Sequence, residues 1–147
     1  MKKILLFGAG KSATVLIDYL LANAEKESWD VTVVDASIQL AKSKIGDSHF
    51  GTAISFDIND EVQRKKYINE ADIVISLLPP ALHTVVAKTC IHLNKNLLTA
   101  SYIDEEIRKL QSEIADRKLL FLCEMGLDPG IDPVSYTHLT LPTIYSV

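Results

Sequence analysis

Short apolar runs alternate along this chain with longer stretches in which apolar residues recur every three or four positions. The first rhythm predicts strands buried on both faces, and the second predicts helices that cover them with one face. Residues 3–7 form the first strand, and Ala13, Leu16, Ile17, Leu20, Leu21 and Ala24 line one face of the helix after it. A polar loop over 25–30 leads to a second strand, 31–35, which is short and β-branched. Ser37 stands where it can cap a helix carrying Ile38, Ala41 and Ile45, Gly46 ends that helix, and 52–56 is the third strand. Asn59 or Asp60 caps a charged surface helix that runs to Ile68. The fourth strand, 73–78, is stopped by Pro79 and Pro80, and Pro80 enters the first turn of a helix over 81–93, where its missing N–H is no loss. A fifth strand at 97–100, a helix over 104–118 with Ile107, Leu110 and Ile114 on one face, and a sixth strand at 119–123 complete the pattern. Such alternation predicts an α/β fold with a doubly wound parallel sheet built by right-handed crossovers.

The turn between the first strand and the first helix is rich in glycine. KILLFGAGKSA sets Gly8, Gly10 and Ala13 at the spacing G-x-G-x-x-A. In a dinucleotide-binding unit the first glycine makes the tight turn, the second admits the pyrophosphate against the backbone, and the third small residue lets helix and sheet close up. Lys11 and Ser12 lie in the first turn of the helix, where unpaired N–H groups face the phosphates. Asp35 ends the second strand, at the position where a carboxylate accepts from the ribose hydroxyls of adenosine and repels the 2′-phosphate of NADP. With Ala36 and Ser37 it forms a loop that favours NAD. Gly10, Lys11 and Ser12 also spell the GKS of a phosphate-binding P-loop, but that motif needs glycine where Leu5 stands inside the strand. Three more loops fall at carboxyl ends of strands: Asp57 and Ile58 are placed to reach the adenine, Leu77 and Leu78 to run along the nicotinamide ribose, and Ala100, Ser101 and Tyr102 follow the fifth strand.

Composition narrows the reading. The chain has 147 residues, 48% hydrophobic and 23% charged, which suits one core. A net charge of −4 with scattered lysines gives no footprint for nucleic acid. No apolar run approaches the roughly 20 residues of a membrane span, and the N-terminus does not read as a signal peptide, so a cytoplasmic protein is expected. Cys90 and Cys123 fit neither a disulfide framework nor a metal motif and read as small buried hydrophobes. His49 and His92 have no partners for a metal, and His83 reads as a surface or capping residue.

At Ser101 and Tyr102, in LLTASY, and again in CEMGLDPGID, the chain resembles the saccharopine dehydrogenase family, in particular its glutamate-forming enzymes. Together with the glycine turn, the resemblance covers 1–132. It implies a Rossmann NAD(P)-binding domain and a dehydrogenase of lysine metabolism that moves a hydride between a nicotinamide ring and the secondary-amine carbon of saccharopine, interconverting it with glutamate and aminoadipate semialdehyde. Matched residue by residue, Gly8 to Ala13, Asp35 to Ser37, Asp57, Ile58, Leu77 and Leu78 line NAD or NADP. Ser101 and Tyr102 contact the amino-acid end of the substrate, and Asp128 binds the substrate's amino group or the cofactor. NADP-using members tend to carry arginine in the loop after the second strand, where this chain has Asp35, Ala36 and Ser37. No residue stands out as a general base. The related readings are a lysine 6-dehydrogenase, a carboxynorspermidine-type enzyme, or a nucleotide-binding module without catalysis.

The resemblance stops after Asp132, where the family continues with histidine and this chain has Pro133 and Val134. VSYTHLTLPT back-translates as GTC TCT TAT ACA CAT CTG ACG CTG CCG ACG, one frame of a transposase adapter used in sequencing libraries. The expectation is a cofactor-binding domain over 1–132, truncated before its substrate domain and inactive alone, followed by a non-native tail over 133–147. A homodimer made through the missing domain is expected as well.

Overall fold

The structure is a computed structural model that describes residues 1–125; Asp128, the domain limit at Asp132 and the tail 133–147 lie outside the described residues. In chain order the elements are β1 (Lys2–Phe7), a 3-10 turn (Lys11–Ala13), α1 (Thr14–Glu27), β2 (Trp29–Asp35), α2 (Ile38–Ile45), β3 (Gly51–Ser55) and α3 (Glu61–Glu70). They continue with β4 (Ile73–Ser76), α4 (Pro80–His92), β5 (Asn96–Thr99), α5 (Glu105–Lys109), α6 (Gln111–Asp116) and β6 (Phe121–Leu122). All neighbouring strands pair in parallel, in the order β3-β2-β1-β4-β5-β6. This is the doubly wound sheet the hydrophobic pattern predicts, with the direction of winding reversing between β1 and β4.

The two-residue period of β1 divides the core. Leu5 and Phe7 pack on one face with Ile68 of α3 and Val86, Ala87 and Cys90 of α4. Ile4 and Leu6 pack on the other with Ile17 and Leu20 of α1 and Ala41 and Ile45 of α2. Phe7 and Leu6 are fully buried, each worth about 1.5–3 kcal/mol in area removed from water. Helix starts follow local chemistry: Ser37 accepts from the Leu40 N–H, Asp60 from those of Val62 and Gln63, Asp104 from that of Ile107, and Pro80 sits in the first turn of α4. Gly46 follows α2, as expected.

Four expectations need correction. The polar loop over 25–30 is instead the last turn of α1 and the first residues of β2, joined at Ser28 in a left-handed conformation (φ 56°). The fourth strand ends at Ser76, which leaves Leu77 and Leu78 in a loop. The helix over 104–118 is two short helices meeting at Leu110, because only Ile107 of its apolar face is buried and α6 buries nothing. His83 is not on the surface but buried, 4% exposed. No described helix is long and apolar enough to cross a membrane.

Candidate functional site

The glycine turn sits at the carboxyl edge of the sheet, between β2 and β4. The Gly8 N–H donates to the Val34 carbonyl at 2.8 Å, and the Leu77 N–H donates to the Phe7 carbonyl at 2.8 Å. Gly8 has φ 100°, and a Cβ there would lie 2.9 Å from the Leu77 carbonyl oxygen, so both backbone shape and packing demand glycine. Gly10 is different. Its φ of −64° suits any residue, and a Cβ would meet nothing within 4 Å. Open space in front of an unstrained glycine fits a ligand that must approach the backbone, as a pyrophosphate does. No side chain caps the turn that begins there, which leaves its first N–H groups pointing outward near Lys11 and Ser12, both exposed.

Asp35 is bound to this turn. One carboxylate oxygen accepts from the Ala9 N–H at 2.7 Å and the other from the Ser37 N–H at 2.8 Å. The strand end, the glycine turn and the start of α2 therefore form one unit. Ser55 Oγ donates to the Ala36 carbonyl at 2.9 Å and ties β3 to it. Beyond β3, Asp57 is exposed and accepts from the Asn59 N–H, while the Ile58 side chain turns into the core, leaving backbone as what Ile58 can offer an adenine.

Across the switch point a cleft of about 800 Å³ is lined by Ser12, Leu77, Leu78, His83, Ser101 and Tyr102, among others. Structure thus brings the phosphate turn, the 77–78 loop and the 101–102 loop to one opening. At its floor lies the residue that sequence reasoning set aside. His83 Nδ1 is 2.8 Å from Ser76 Oγ and 3.3 Å from Thr99 Oγ1, and Nε2 is 2.6 Å from Ser101 Oγ. Burial pushes the His83 pKa below its ordinary value, opposed by the Leu78 backbone and the Asp104 charge, which favours the neutral ring. The 101–103 loop is also held from the side by Glu124, which follows β6 with φ 60°. Its N–H donates to the Ser101 carbonyl at 3.0 Å, and its carboxylate accepts from the Ile103 N–H at 3.3 Å. Cys123 lines the same cleft as a half-buried thiol whose pKa burial raises. A signal for the His83 cluster was present: Ser76 and Thr99 end strands that topology makes neighbours, and His83 opens the helix between them.

A doubly wound parallel sheet with an open glycine turn at its switch point is the architecture of a dinucleotide-binding Rossmann domain. A family model described as the saccharopine dehydrogenase NADP binding domain matches residues 4–122, and the chain belongs to that family. Alpha-aminoadipic semialdehyde synthase of Arabidopsis thaliana is 37% identical over 88% of this chain and 14% of its own length. Saccharopine dehydrogenase [NADP(+), L-glutamate-forming] of Saccharomyces cerevisiae is 37% identical over 89% of this chain and 28% of its own. The apo structure of the Saccharomyces cerevisiae L-Glu-forming saccharopine dehydrogenase superposes with a TM-score of 0.84 at 34% identity, over 99% of this chain and 32% of that one. The chain spans less than a third of the length of each of these relatives.

Proposed function

We propose that this chain is the cofactor-binding part of a dehydrogenase that interconverts saccharopine with glutamate and aminoadipate semialdehyde. The observation that carries this reading is the shared cleft, which sets the phosphate turn and the 101–102 loop on either side of the switch point. Bound there, NAD(P) supplies hydride exchange with the secondary-amine carbon. Loss of hydride and a proton from the C–N unit leaves an imine, and water then releases glutamate and the aldehyde. The chain's own residues bind and orient. Gly10 admits the pyrophosphate, the N–H groups of Lys11 and Ser12 meet its oxygens, Asp35 to Ser37 meet the ribose, and Leu77 and Leu78 flank the nicotinamide ribose. Ser101, Tyr102 and Asp128 belong to the amino acid. Full-length protein expressed from source DNA should reduce the cofactor with saccharopine. Turnover of lysine but not of saccharopine would overturn the reading in favour of a lysine 6-dehydrogenase.

Within that reading NAD is preferred to NADP. Each Asp35 oxygen takes one backbone N–H and keeps lone pairs for ribose hydroxyls, and the loop to Ser37 carries no cation to meet a 2′-phosphate. A carboxylate held against a phosphate costs about 1–3 kcal/mol at a partly exposed site, roughly 5- to 150-fold in affinity. Calorimetric titration should give NADH the tighter binding by a factor in that range. Equal or tighter binding of NADPH, the reduced form of the cofactor named for the yeast relative, would overturn the preference.

A further inference from the structure

Three hydroxyls and one buried imidazole stand at the floor of the cleft, and their protons can be placed by counting donors. Ser76 is fully buried with its Oγ 2.8 Å from His83 Nδ1, and the Leu78 backbone carbonyl also faces the ring. Thr99 Oγ1 already accepts from the Ser101 N–H at 3.2 Å, and its own proton also faces Nδ1, at 3.3 Å. Two hydroxyls thus stand against Nδ1, and with both donating Nδ1 is the acceptor of the ring. A neutral imidazole that accepts at Nδ1 carries its proton on Nε2. Nε2–H then donates to Ser101 Oγ at 2.6 Å, and the Ser101 proton is turned away from the ring.

We propose that His83 is a positioning residue that fixes Ser101 as a hydrogen-bond donor into the cleft, which makes the 101–102 loop a receptor for a carboxylate of the substrate. An ammonium group offers only donors and gains nothing from that hydroxyl proton; a carboxylate accepts it, in a charge-assisted bond. The inference rests on the substrate-side reading of Ser101. It adds to that reading the residue that orients the hydroxyl and the ligand group it meets. Asparagine in place of His83 puts its amide near the Nδ1 position and abandons Ser101, whereas glutamine reaches the Nε2 position and can still donate.

The test is nitrogen-15 NMR of the whole chain, free and saturated with NADPH, with L-glutamate as the titrant. The expected ring is protonated at Nε2. L-glutamate should then shift the Ser101 and Tyr102 amides, His83→Asn should weaken that binding at least tenfold, His83→Gln should recover most of it, and NADPH affinity should stay within about twofold throughout. A ring protonated at Nδ1, donating to Ser76 or to the Leu78 backbone, overturns the proposal whatever glutamate does. So does unchanged glutamate binding in His83→Asn. An Nε2-protonated ring with no response of Ser101 to glutamate in the unmodified chain instead overturns the substrate-side reading, and the carboxylate assignment falls with it.

Discussion

Gly8 and Gly10 stand two positions apart and are glycines for different reasons. At Gly8 the chain itself requires it, since φ is 100° and the Leu77 carbonyl fills the space of a side chain. At Gly10 neither backbone nor packing does, and the proposed function supplies the reason as a ligand. Gly10→Val should therefore leave stability within about 0.5 kcal/mol and abolish binding of both NADH and NADPH. Gly8→Ala should cost about 1–3 kcal/mol in stability. Thermal melts and calorimetric titrations of the two variants separate these outcomes, and a Gly10→Val protein that still bound either cofactor would refute the pyrophosphate assignment. Both glycines were legible in the sequence because their spacing reports a geometry. His83 was not, since a lone histidine gives no sign of which strand ends will surround it. Its partners Ser76, Thr99 and Ser101 come from two strand ends and a loop that only the sheet order makes neighbours.

Among the described elements, every strand and all but one helix were legible as existing: β1, β2 and β4 because burial on both faces forces continuous apolar runs, and α1, α2 and α4 because single-face burial forces a helical period. Element ends were less so. Trp29 and Asp30 read as loop but continue β2 beside Lys2 and Lys3, a pairing set by register and not by local propensity. The break at Leu110 has no glycine or proline to announce it, and reflects the absence of core contacts under α6. Helix α3 is the opposite case, predicted from its cap and charge with little apolar face. It buries only Ile68 and Arg64. The Arg64 guanidinium donates from Nε to Thr89 Oγ1 at 2.9 Å and from Nη1 to the Ile58 carbonyl, so it fastens α3 to α4 and to the loop after β3. Arg64→Ala leaves that buried carbonyl unmet and should destabilise the chain by about 2–4 kcal/mol. Urea titration reads the loss directly, and a midpoint within error of the unmodified chain would show that α3 is held by the packing of Ile68 and Tyr67 without Arg64.

At the scale of the whole molecule, the reversal of winding between β1 and β4 divides the carboxyl edge into two territories. The loops after β1, β2 and β3 carry Gly10, Asp35 and Asp57, and in the proposed function they serve the adenosine side of a dinucleotide. The loops after β4 and β5 carry Leu77, Leu78, Ser101 and Tyr102, and open toward the reacting end. The tie from Glu124 to Ser101 and Ile103 makes the loop after β6 part of the second territory, which places the beginning of the CEMGLDPGID run beside the 101–102 loop. Sequence alone named both sets of residues, from motif spacing, strand ends and resemblance, but could not show that Leu77, Leu78, Ser101 and Tyr102 line one cleft with Ser12 of the glycine turn. That division predicts which ligand each residue serves. Tyr102 is 60% exposed and lines the cleft. Tyr102→Ala should keep NAD(P)H affinity within about twofold and reduce the response of the neighbouring amides to L-glutamate several-fold, and Tyr102→Phe should fall between if the hydroxyl contributes. Calorimetry with the cofactor and NMR with the amino acid measure the two arms separately. A loss of cofactor affinity as large as the loss of glutamate response would return Tyr102 to the cofactor side, because a residue confined to the second territory has no route to the adenosine half except through the dinucleotide itself.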